Sequence, residues 1–117
     1  MQLAILILNL IASFTSALWA VLALKSPAVL SRSVHLERGE IFYARMYAAR
    51  AIPLGLAAGL LPFFSVGPAV AWLLFAAAAT QLADVAIAIG KREIGMSIGA
   101  ALGTIVHILC GVAVSQR

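Results

Sequence analysis

Tyr47, Arg50, Gln81, Asp84 and His107 can all bind, donate or accept a proton, and all lie inside long apolar stretches, with Arg45 close by. In hydrocarbon an ionised side chain costs at least ~2.5–3.5 kcal/mol near the centre of a helix, so such groups turn inward and find partners. Asp84 is expected to pair with Arg45 or Arg50, and Gln81 and His107 to extend that network. Asp84 beside His107 would make a base with an orienting carboxylate. Isomerisation or cyclisation of a lipophilic substrate needs only an acid, a base and an apolar pocket. The nucleophile is missing, since no serine or threonine stands in a nucleophile motif. A single histidine with one aspartate is too small a ligand set for a redox metal, so no metal or cofactor is expected. Each residue also has a plain structural role open to it. Asp84 with an arginine makes a clamp, His107 can donate to a carbonyl, Arg45 can snorkel, and Tyr43 and Tyr47 suit a membrane interface.

Spacing groups these residues on helix faces. Gly95, Gly99, Gly103 and Gly111 recur every fourth position except at 107, where the histidine stands. An i, i+4 series drifts slowly round a helix, which places His107 in a groove open to close helix approach. Glu40, Tyr43, Tyr47 and Arg50 follow i, i+3, i+7, i+10 and share a face. Ala48, Ala51, Gly55 and Gly59 form a second small-residue strip on the same stretch. Pro53 removes one backbone donor there, and the freed carbonyls are candidate partners for Arg50. Gln81 and Asp84 are i, i+3, continued by Ala77 and Ala88.

The elements that must position them are dictated by composition. Of 117 residues, 64% are hydrophobic and 10% charged, against roughly a quarter charged in soluble domains. Four stretches, about 2–24, 41–64, 69–90 and 94–114, each reach the roughly 20 residues that cross a ~30 Å hydrocarbon core. The expected fold is therefore all-α: one domain, 1–117, an integral membrane bundle of four antiparallel transmembrane helices. Residues 28–38 mix apolar and basic side chains and fit a short helix lying in the interface. The first stretch lacks a basic leader and is too long for a signal-peptide core, so it reads as a span. Cys110 is the single cysteine, which excludes an internal disulfide and thiol-pair chemistry. The net charge of +4 belongs to membrane edges and gives no nucleic-acid signal. Lys25, Arg32, Arg38, Lys91 and Arg92 fall beside loops one and three, and Arg117 alone on the other side, so both termini are expected outside. At about 1.5 Å per residue, Arg45 and Asp84 lie roughly 6–9 Å inside the cytoplasmic end, and Arg50, Gln81 and His107 roughly 13–20 Å inside.

Ala44-Arg45-Met46-Tyr47-Ala48-Ala49-Arg50 with Gly55, Gln81-Leu82-Ala83-Asp84, and the glycine-rich stretch with His107 together resemble small four-span bacterial proteins of the DoxX-like kind. The resemblance covers most of the chain in layout, and it implies a four-helix bundle in a bacterial inner membrane. DoxX itself is associated with a quinone-linked oxidoreductase complex, but no quinone-contacting residue is carried onto this chain. Length and span count also look like small multidrug-resistance transporters. Those rely on an acidic residue in span one, where this chain has Asn9, Thr15 and Ser16, so a proton-coupled role would fall to Asp84.

The leading expectation is a small membrane protein that binds a lipophilic small molecule, or serves as an accessory subunit, through a pocket of Arg45, Tyr47, Arg50, Gln81, Asp84 and His107. The alternatives are an isomerase or cyclase using Asp84 and His107, a structural or oligomerising bundle, and a small proton-coupled transporter. Two glycine strips also allow a homodimer or another membrane partner within the lipid bilayer.

Overall fold

The computed structural model describes residues 2–32 and 34–117. Among them there is no strand. Five helices follow in order: α1 (Gln2–Lys25), α2 (Ala28–Ser31), α3 (Arg38–Phe64), α4 (Pro68–Gly90) and α5 (Ile94–Ser115). All but α2 are long and apolar enough to cross a membrane, and together they form an antiparallel bundle. Its long dimension is 49 Å, close to the roughly 40–45 Å of a bilayer with its headgroups. Most side chains on the four long helices point outward. Leu3, Leu18, Ile105 and Leu109 are among the exposed apolar residues, as a lipid-facing surface requires. The chain is an integral membrane protein.

Local chemistry sets the ends of the helices. Among its described residues loop one is helical only over α2, because Arg32 adopts a left-handed conformation (φ 53°) that an α-helix cannot continue. The interfacial helix expected over 28–38 thus stops at Ser31. Glu40 Oε2 accepts from the Glu37 amide at 2.7 Å, satisfying a donor at the start of α3. Gly67 (φ 111°) makes the sharp entry to α4 with Pro68 as its first residue, where a missing amide hydrogen costs nothing. Past Gly90, the Arg92 and Glu93 amides reach back to Ile89 O (3.0 Å) and Ala88 O (2.9 Å), a Schellman closure with Arg92 in the left-handed position.

α1 packs along α3 and α4 along α5, whereas α1 with α5 and α3 with α4 touch over much less of their length. The strip Ala48, Ala51, Gly55, Gly59 serves the first pair. A Cβ on Gly55 would stand 2.9 Å from Ser13 O, and one on Gly59 3.0 Å from Ser13 Cβ. That strip is used inside the chain. In the second pair, a Cβ on Gly111 would meet the Phe75 ring at 2.6 Å. Leu6, Ala58, Val70, Leu74, Ala77, Cys110 and Val114 close the end near the termini with a continuous core. Toward loops one and three the buried cluster shrinks to Ala20, Ala48 and Ala51. The bundle is therefore tight at one end and open at the other.

Candidate functional site

Asn9 is the hub of the deeper polar layer. Pro62 lies within the continuous helix α3 and has no amide hydrogen, so the carbonyl four residues earlier, Ala58 O, loses its helical donor. Asn9 Nδ2 supplies the replacement at 2.7 Å. Ala58 O can only accept, which turns Asn9 Oδ1 toward His107 Nδ1, also at 2.7 Å. Three helices, α1, α3 and α5, are pinned at this point by residues buried to 0% (Asn9), 1% (Ala58) and 2% (His107) exposure.

One step toward loops one and three, Gln81 Nε2 of α4 donates to Ser16 Oγ of α1 at 3.2 Å. Gly103 makes room for it, since a Cβ there would lie 3.3 Å from the Gln81 amide. A further turn along, Arg50 Nη2 and Asp84 Oδ1 are 3.1 Å apart, linking α3 to α4. The Arg50 guanidinium carbon lies 5.8 Å from the centre of the Tyr47 ring, a cation–π distance. The Arg50–Asp84 pair crosses the thin α3–α4 interface, and the Gln81–Ser16 bond runs across the bundle from α4 to α1.

Arg50, Gln81, Asp84 and His107 border one small chamber of about 20 Å³. They do not form a single chain of hydrogen bonds. Asp84 is bonded to Arg50 and His107 to Asn9, so the carboxylate that would orient His107 as a base is engaged elsewhere. Of the two arginines expected to compete for Asp84, Arg50 makes the contact. Arg45 is exposed and borders neither the chamber nor the cleft above it. Asn9 carries more of the site than its type alone suggested. The signal that locates it is Pro62, whose orphaned carbonyl calls for a side-chain donor at that depth.

Above the Ser16–Gln81 bond, on the side of loops one and three, the bundle opens into a cleft of about 640 Å³. Thr15, Ser16 and Trp19 of α1 line one wall, and Gly95, Gly99 and Leu102 of α5 line another. Tyr43, Tyr47, Gln81 and Asp84 also face it. A Cβ added to Gly95 or Gly99 would meet nothing within 4 Å. Their half of the glycine series therefore makes space, where Gly103 and Gly111 make contacts. Arg32 and Glu93 form an ion pair at 3.4 Å between loops one and three, and both border the mouth. Among the described residues no three His, Cys, Asp or Glu side chains gather as ligands for one metal ion. Neither a family model, nor a curated protein, nor a solved structure matches the chain.

Proposed function

We propose that this protein binds a lipophilic small molecule with one hydrogen-bonding end in the cleft between its two helix pairs. The cleft carries the reading. Its volume of about 640 Å³ falls in the roughly 300–1,000 Å³ range of small-molecule sites, and its walls combine apolar surface with convergent polar groups. Gly95 and Gly99 leave width for an alkyl or ring system, and Tyr47, Gln81 and Asp84 offer donors and acceptors to its polar end. A ligand of this kind reaches the cleft sideways from the bilayer. The DoxX-like layout and a cytoplasmic position for the cleft mouth belong to the same proposal, the latter from the basic residues of loops one and three.

The test is photolabelling of the full chain in nanodiscs with a diazirine-bearing long-chain alcohol. Labels are expected on cleft residues Met96, Leu102 and Val106, competed away by the unmodified alcohol. Gly99→Leu should abolish that competed fraction and leave labelling of lipid-facing Ile105 and Leu109 unchanged. Equal, uncompeted labelling of both sets would mean that the cleft is only a dent in the lipid boundary.

A further inference from the structure

The small chamber below the cleft has a chemistry of its own. Because Asn9 presents Oδ1 to His107, Nδ1 of the imidazole carries the hydrogen, and in the neutral ring Nε2 is left as an acceptor. Ser13 borders the same chamber at 1% exposure, and its Oγ is buried with no hydrogen-bond partner among the described residues. Buried polar atoms are almost always hydrogen-bonded, so an orphan hydroxyl beside a cavity calls for an occupant. The chamber measures about 20 Å³, and one water needs roughly 10–15 Å³ and two to four polar partners.

Charge decides what the occupant is. A cation would stand beside the Arg50 guanidinium, and an anion beside the Asp84 carboxylate and the Nε2 lone pair. A neutral group that both donates and accepts satisfies all of them. We infer that the chamber is a binding site for one water molecule, which donates to His107 Nε2 and shares a hydrogen bond with Ser13 Oγ. Ser16, Gln81 and Asp84 border both this chamber and the cleft, but the inference rests on Ser13 and His107, so the site stands whether or not a lipophilic ligand occupies the space above.

Solid-state NMR of the full chain in lipid bilayers, with nitrogen-15 in histidine, tests this directly. The expected spectrum has a proton on Nδ1, an Nε2 resonance shifted by an accepted hydrogen bond, and magnetisation passing from water to the His107 ring. Ser13→Ala should weaken that transfer, move Nε2 toward the value of a free lone pair, and leave Nδ1 unchanged. A proton on Nε2, or no transfer from water to His107 while the exposed His35 ring shows it, would overturn the inference. The unfolding midpoint of Ser13→Ala gives a second reading. A dry chamber predicts an unchanged or raised midpoint, because an orphan hydroxyl is removed, and a wet one predicts a lowered midpoint.

Discussion

The Asn9–His107 contact matters because each partner would be costly without the other. Asn9→Ala removes the donor to Ala58 O and the acceptor of His107 Nδ1 together, leaving two buried polar groups unpaired at about 1–3 kcal/mol each. Equilibrium unfolding in mixed micelles should show a loss of at least the lower figure. Asn9→Leu should lose a similar amount, since refilling the volume restores neither bond, and a wild-type midpoint for Asn9→Leu would remove Asn9 from the centre of the site. The Arg50–Asp84 pair makes a second prediction of a different form. Asp84→Arg should impair folding and accumulation in the membrane, and Arg50→Asp in the same chain should restore most of the loss. Arg45→Asp should not, because Arg45 is exposed and borders neither the chamber nor the cleft. Rescue by Arg45 in place of Arg50 would contradict the contact at 3.1 Å. That Arg50, Gln81, Asp84 and His107 would need polar partners was legible from their polarity in an apolar context. The pairing of Asp84 with an arginine was legible as well, with Arg50 one of two candidates, whereas the partners of Gln81 and His107 were not, because they depend on helix rotation and on which span lies beside which, and spacing within one helix constrains neither. Ser16 with Gln81 joins residues 65 positions apart on helices that are not consecutive spans.

The helices themselves were readable almost to their ends. Length and apolarity determine a span with little help from neighbours, so the expected 69–90 and 94–114 lie close to α4 and α5. Glycine is where element-level reading ran out. A stripe of small residues marks either a contact or a space, and the two look identical in sequence. The structure separates them, and substitution should too. Gly55→Ala drives a methyl to 2.9 Å from the Ser13 carbonyl oxygen, where backbone must shift, at a cost of about 1–3 kcal/mol from overpacking. Gly99→Ala adds a methyl to open space and replaces a residue that is roughly 0.5–1 kcal/mol worse than alanine inside a helix. Unfolding should therefore shift down for Gly55→Ala and stay level or rise for Gly99→Ala. Two shifts of equal size and sign would mean that Gly99 also packs against a helix, as a second copy of the chain would require.

At the scale of the molecule, the fold is a wedge: an apolar core clamps the end near the termini, and toward loops one and three the apolar cluster shrinks while polar bonds link the helix pairs. Regions with few buried apolar contacts open at low free energy. A bridge at the mouth, Arg32 with Glu93, has side chains 68% and 23% exposed, and an exposed pair of this kind contributes about 0–1 kcal/mol. It guides the two loops without locking them. Motion between α1 and α5 should therefore be graded along their length. Spin labels at Leu3 and Val112, near the core end, should give a narrow distance distribution in nanodiscs. Labels at Leu22 and Ile98, near the mouth, should give a broader one that narrows when a competing long-chain alcohol is added. Equal widths at both ends would describe a uniformly rigid bundle, and a lipophilic ligand would then have to enter without any separation of the helix pairs. A broad distribution at the mouth that ignores the alcohol would keep the wedge and remove the ligand, assigning the open end to a partner helix instead.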